Sequence, residues 1–337
     1  MKDILRDIIA ETSEGRRPVQ QPVGIILGAQ PGAGKTLLEN IAMEELGDNV
    51  VVCSLDNLRD FHPDVEEIKR KHEAYYPELT GDYAWDWRIG LMAYCVENRL
   101  NFIMETTFSD GQFINNIISG LREKDYRAEI KLLAVHPRLS LLGTEERFEG
   151  QKLREEGGRT IGKEVHDDKY SNLIPALITV QSASLYNKLQ VYGRNVASGE
   201  YADIEGLHLI ATNPPNAVQV LQQVFDQPWP DKMVQFFEQK MQTVIQFKEA
   251  RNAPAEEITQ FREEMQAEYK SPSYLKQLHE QQQREEKVAQ ELKAAQQLKA
   301  VQEKQELERQ RKAEEQRQQL IQRKGPDKGH DMGGPRR

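Results

Sequence analysis

Cysteine is nearly absent from this chain, with only Cys53 and Cys95 among 337 residues. Both lie in apolar stretches, which excludes a disulfide framework and suits a reducing compartment, the two thiols serving as small core residues. Aromatic residues make up 7% of the chain against 29% charged, a ratio that places part of the length in solvated helix rather than core. Long apolar runs are missing as well. No segment approaches the ~20 apolar residues needed to cross a bilayer, and the opening MKDILRDIIAETSEGRR mixes acids and bases without an uninterrupted apolar stretch. The expectation is a cytoplasmic protein with no membrane span. Nor is there an excess of positive charge: Lys and Arg number 45 against 54 Asp and Glu, a net charge of −9. That balance excludes a general nucleic-acid binder, so an anionic ligand must be caught by a local basic site.

What the chain does have is length, enough for a sizeable core and about two domains. Within residues 1–210, short apolar runs alternate with helical patterns: VGIIL (23–27), NVVVCSL (49–55), LNFIMET (100–106), EIKLLAV (129–135) and LHLIA (207–211). Strands with little polar alternation are buried on both faces, the mark of a mostly parallel sheet covered by helices in a three-layer α/β fold. From 211 to 274 a helical appendage is expected, in which VQVLQQVFD, MVQFFEQKMQTVIQFKEA and AEEITQFREEMQAEY space their apolar residues by three and four. QPWPDK and NAPAEE break it. Residues 275–324 are rich in Gln, Glu, Lys, Arg and Ala, and 276–324 hold neither Gly nor Pro, which predicts one long polar helix whose sparse apolar residues leave coiled-coil pairing open. The last stretch, 325–337, is expected to be a disordered tail.

After the first strand comes Gly28-Ala29-Gln30-Pro31-Gly32-Ala33-Gly34-Lys35-Thr36, followed by the helix former LLENIAMEEL. Strand, glycine-rich loop and helix in this order make a P-loop. Its backbone N–H groups and the helix N-terminus cradle phosphates, Lys35 reaches the β- and γ-phosphates of a nucleoside triphosphate, and the Thr36 hydroxyl binds Mg²⁺. Ala29 stands at the first loop position where glycine is usual, which is tolerable if its φ stays negative.

A P-loop leaves open whether the acceptor is water or a substrate hydroxyl. At the end of the second strand, Asp56 stands where open α/β sheets build their sites. It suits a base taking the proton of an attacking hydroxyl, and equally the cap of the next helix. The run FIMETT ends at the same edge, where Glu105 can hold a Mg²⁺-bound water and Thr107 can meet a phosphate, or both can pack and cap. Arg147, on a helix, and Arg159, on a Gly-bounded loop, can converge on transferring phosphates or form surface ion pairs.

The ordered set GAQPGAGKT, NVVVCSLDNLRDFHPD with His62-Pro63, FIMETT, LGTEERFE and GGRTIGKEVHD resembles the zeta toxin family across roughly residues 20–195. These are the kinases of bacterial epsilon/zeta toxin–antitoxin systems. The resemblance implies a P-loop kinase-like fold and transfer of the γ-phosphate of ATP or GTP, with Mg²⁺, to the 3′-hydroxyl of the sugar of UDP-N-acetylglucosamine, which blocks cell-wall synthesis. It implies Asp56 as catalytic base, Lys35 and Thr36 on nucleotide and metal, and Arg147 and Arg159 on the transferring phosphoryl group. A small helical, epsilon-like antitoxin is the implied partner.

Two features depart from the family pattern. Where a Thr-Glu pair usually binds the sugar, this chain reads Tyr83-Ala84-Trp85-Asp86-Trp87-Arg88-Ile89, so Asp86 is the nearest acidic candidate beside Asp56, Glu105 and Thr107 for the substrate. The extension after about residue 200 has no counterpart in compact members. Alternatives are a P-loop kinase of another nucleotide-like molecule such as NAD, and a nucleotide-gated interaction protein. A base poised at an acceptor argues against the last.

Overall fold

A computed structural model describes residues 2–154, 161–194 and 206–266. The long polar helix expected over 275–324, with its possible coiled coil, and the tail at 325–337 lie outside the described residues. In chain order the elements are α1 (Lys2–Ser13), β1 (Val23–Gly28), α2 (Lys35–Glu45), β2 (Val51–Cys53), α3 (Leu55–Arg59), α4 (Val65–Lys71), α5 (Tyr76–Glu97), β3 (Phe102–Thr106), α6 (Gly111–Glu123), β4 (Arg127–Ala134), α7 (Pro137–Leu153), α8 (Lys163–Ala183), β5 (Lys188–Arg194), β6 (Leu207–Thr212), α9 (Ala217–Asp226), α10 (Asp231–Ala250) and α11 (Ala255–Gln266).

The strands form one sheet in the order β2-β3-β1-β4-β5-β6. All neighbours are parallel except β5 and β6. Successive side chains of a strand point to opposite faces, and here both faces are apolar. Ile26, Phe102, Met104, Ile130 and Leu132 face one core, shared with α1, α5, α6, α8 and α9. Ile25, Leu27, Ile103 and Leu133 face the other, shared with α2, α7, α10 and α11. Burial of every position of β1 is why that run shows no polar alternation, and the result is the expected three-layer α/β fold with a mostly parallel sheet.

Five of the six strands coincide with the apolar runs read from the sequence; β5 does not. The three helices after residue 214 pack into the second core through Met233, Phe237, Val244, Phe261 and Met265, and into the first through Ala217 and Leu221 of α9. At 25 cal/mol per Å², a fully buried side chain of this kind contributes roughly 1.5–3 kcal/mol, so this segment is part of what holds the sheet covered. Among the described residues no helix is long and apolar enough to cross a membrane. Both cysteines are buried free thiols.

Candidate active site

The site lies beyond the carboxyl ends of the strands, the edge at which parallel sheets open a crevice. Gly28 pairs with Thr106 at the last step of the β1–β3 register, and there the chain leaves the sheet as a loop. Gly32 has φ of 74°, and a Cβ added to it would stand 2.0 Å from the Ser140 carbonyl oxygen; no side chain fits. Gly34, with φ of 99°, caps α2. These two left-handed glycines turn successive N–H groups into a concave nest at the start of an 11-residue helix, which is an anion cradle. Ala29 is not among the residues with positive φ, so its methyl group costs the loop nothing, and its N–H donates to the Thr106 carbonyl at 3.2 Å.

A cleft of about 470 Å³ opens over this loop. Of the residues singled out from the sequence, Gly32, Gly34, Lys35, Thr36, Asp56, Glu105 and Arg147 line it. Gly28, Ala29, Gln30, Pro31 and Ala33 form the buried back of the loop. Asp86 is exposed on α5 and Thr107 is half-buried and bonded to Ser109 at 2.9 Å; neither lines the cleft. Arg159 lies outside the described residues.

Asp56 sits in the first turn of α3, which Ser54 caps. Its carboxylate accepts from Arg147 Nη2 at 3.1 Å and lies 3.9 Å from Arg59 Nε. Arg59 is buried and fixed by donating to the Pro77 carbonyl and Thr80 Oγ1, each at 2.7 Å. The Arg147 side chain is 52% exposed, so it is free to turn toward a ligand in the cleft.

Several cleft residues escaped the sequence reading. Glu39 follows Lys35 by one helical turn, a spacing that places both on one face and was the one available signal. Burial first, then the hydrogen bond and like charge of Glu105, push the Glu39 carboxyl up to about 7. Ser54 Oγ donates to Glu105 Oε2 at 3.3 Å, and Arg88 to the Glu105 carbonyl at 3.1 Å. Two carboxyls this close need a proton or a cation between them. With the Thr36 hydroxyl in the same cleft, this all-oxygen donor set fits Mg²⁺, a hard ion that keeps most of its waters and takes few protein ligands. Among the described residues no group of three or more His, Cys, Asp or Glu gathers to hold a metal, so such an ion would depend on phosphate oxygens as well.

The far wall comes from elements distant in sequence. Arg194, the last residue of β5, donates to the Ala33 carbonyl at 2.9 Å. Phe236 and Lys240 of α10 also face the cleft, and Lys240 holds Glu146 at 2.9 and 2.6 Å. Nothing local in sequence announces these.

The model of the zeta toxin family matches residues 6–203. Toxin PezT of Streptococcus pneumoniae serotype 4 is 26% identical over 249 residues, covering 73% of this chain and 95% of that one. Toxin zeta of Enterococcus hirae is 27% identical over 191 residues, 56% of this chain and 67% of that one. A solved chain from the PezAT chromosomal toxin–antitoxin system of Streptococcus pneumoniae matches with a TM-score of 0.64 at 22% identity, covering 73% of this chain and 97% of that chain. At that identity the likeness is one of fold.

Proposed function

Because the chain belongs to the zeta toxin family, we propose that it is a small-molecule kinase that uses ATP or GTP with Mg²⁺ to phosphorylate the 3′-hydroxyl of the sugar of UDP-N-acetylglucosamine or a related UDP-sugar. In this reading it is a toxin that blocks cell-wall synthesis and is held in check by a small helical antitoxin. The names of its relatives support the toxin role. The observation that carries the kinase reading is the contact between Asp56 and Arg147 across a cleft floored by Lys35 and Thr36. A nucleotide switch needs no group to take the proton of an acceptor hydroxyl; phosphoryl transfer to a hydroxyl is served by one.

Lys35 and the loop N–H groups bind the donor phosphates, and Thr36 with the Glu39–Glu105 pair would hold the metal, which neutralises charge developing on the phosphate oxygens. Asp56 accepts the proton of the acceptor hydroxyl as its oxygen bonds to the γ-phosphorus. The bond to the bridging oxygen breaks and the nucleoside diphosphate leaves. Arg147, and Arg159 by resemblance, place positive charge on the phosphoryl oxygens.

The test is incubation of the purified protein with ATP, Mg²⁺ and a panel of UDP-sugars and NAD, read by mass spectrometry for a gain of one phosphoryl group. A phosphorylated UDP-sugar is the expected product. Phosphorylated NAD would keep the kinase and change the acceptor; ATP hydrolysis with no phosphorylated acceptor would sink the kinase reading. Arg147→Ala is expected to lower kcat about 10²-fold with KM for either substrate within about threefold, the pattern of an interaction made mainly in the transition state. If both constants stay at wild-type values, Arg147 is only a surface ion-pair partner of Asp56.

A further inference from the structure

Helix α7 lies directly on the phosphate loop. A Cβ added to Gly143 would stand 2.3 Å from the Gly32 carbonyl oxygen, so the two backbones touch there. Three residues on, about 4.5 Å along the helix axis and on the same face, Glu146 lines the cleft. A carboxylate in that position opposes what the loop is built for, because it repels the oxygens of any phosphate in the cradle.

Among the described residues the cleft lining carries as many carboxylates as cations: Glu39, Asp56, Glu105 and Glu146 against Lys35, Arg147, Arg194 and Lys240. A polyanion is held there only if the acids are answered. Asp56 is met by Arg147, and the Glu39–Glu105 pair is assigned to the metal. Glu146 is met by Lys240, whose ammonium donates to its two carboxylate oxygens at 2.9 and 2.6 Å. The Arg147 side chain is 52% exposed, that of Lys240 only 20%, and the Lys240 ammonium also lies over the Phe236 ring at 5.2 Å, a cation–π contact that holds it further. Lys240 is therefore fixed on Glu146, whereas Arg147 can turn. The helix that carries Lys240 is itself anchored, since Phe237, Met241 and Val244 of α10 are buried in the core that α7 shares.

Resting on the nucleotide-binding half of the kinase reading, we propose that Lys240 is a positioning residue of the phosphate site, which holds and neutralises Glu146 so that the α7 wall can face a polyanion. Helix α10 begins at Asp231, beyond the stretch at 6–203 matched by the family model. It thereby takes part in phosphate binding without touching the phosphates.

The experiment is equilibrium binding of Mg²⁺-ATP and of inorganic tripolyphosphate to the full chain, as wild type, Lys240→Met, Lys240→Gln and the double variant Lys240→Met/Glu146→Gln. Each single variant leaves the Glu146 charge unanswered and should weaken both ligands by about tenfold, the cost of a like charge beside them. The loss should be the same for the two ligands, because it falls on the phosphates, and should shrink as salt is raised. Adding Glu146→Gln should bring affinity back to within about twofold of wild type. An ion pair with only a structural role is broken as fully in the double variant as in the single one, so it cannot be rescued in this way. Single variants that bind within about twofold of wild type overturn the proposal. So does a double variant as weak as Lys240→Met, which would make Lys240 a direct phosphate ligand or a packing residue. A wild type that binds neither ligand would remove the phosphate cradle, and with it both this proposal and the kinase reading; binding without transfer to any acceptor would remove the kinase reading alone.

Discussion

Replacement of Asp56 by asparagine is expected to cut phosphoryl transfer by about 10²–10⁴-fold, the usual cost of losing a general base, while ATP affinity stays close to wild type. The amide keeps the shape of the carboxylate and can still accept from Arg147, so the cleft is undisturbed; what is lost is the capacity to take a proton. In the proposed reading the donor phosphates are bound by Lys35 and the loop N–H groups, whereas the Asp56 carboxylate accepts from Arg147 at 3.1 Å and lies 3.9 Å from Arg59. Folding should be little affected, because the Arg147 side chain is 52% exposed and an ion pair of that kind is worth about 0–1 kcal/mol. The measurements are kcat with a responsive acceptor, ATP affinity and Tm on the same preparation. Wild-type turnover would show that another group takes the proton. A drop in turnover accompanied by an equal drop in ATP affinity would move Asp56 from base to nucleotide ligand.

How much of this site could be read in advance follows from how local each signal is. The phosphate loop is contiguous, and its glycines answer a local need: a left-handed backbone with no room for a side chain. Asp56 and Glu105 were found because both stand at the ends of apolar runs, and parallel strands gather their ends at one edge. The β5 strand was missed because KLQVYGR alternates polar and apolar residues although it is buried. Gln190 lies opposite Lys131 in the register and accepts from its Nζ at 2.6 Å, a polar pair inside the sheet that disguises a buried strand as a half-exposed one. Missing β5 meant missing Arg194. Phe236 and Lys240 meet residues nearly a hundred positions earlier, and pairing over such distances leaves no periodic trace. Asp86 was singled out by its charge near a family motif, and it sits on a turn of α5 whose Trp87, Arg88 and Leu91 are buried while Asp86 itself faces solvent.

The second large effect is expected from Glu149→Ala, on the helix that carries Arg147. Glu149 is fully buried and bonds Arg251 through Nε at 2.6 Å and Nη2 at 2.9 Å, and Lys248 at 2.7 Å. Burial alone would raise the Glu149 carboxyl, but the hydrogen bonds and charges of Arg251 and Lys248 outweigh it and hold it below its ordinary 4.5. The same contacts raise Lys248 above 10.5, against the opposing pull of its own burial. Truncating one member of a buried network leaves uncompensated charge and typically costs about 3–5 kcal/mol; because Lys248 keeps Glu257 at 3.0 Å and Glu145 at 3.3 Å, the lower end is expected here. For a domain of this size that is a fall in Tm of roughly 6–12 °C. The sign of the pH dependence follows from the shifts. A carboxylate with a depressed folded value contributes fully above 4.5 and loses its contribution as pH falls through the folded value; a lysine with a raised one contributes fully below 10.5. The gap in Tm between wild type and variant should therefore be constant from about pH 5 to 10 and narrow in acid. A Tm within about 1 °C of wild type at neutral pH, or a gap that widens as pH falls, would mean that this network does not clamp α10 to α7 and that the cleft wall carrying Phe236 and Lys240 is held by apolar packing alone.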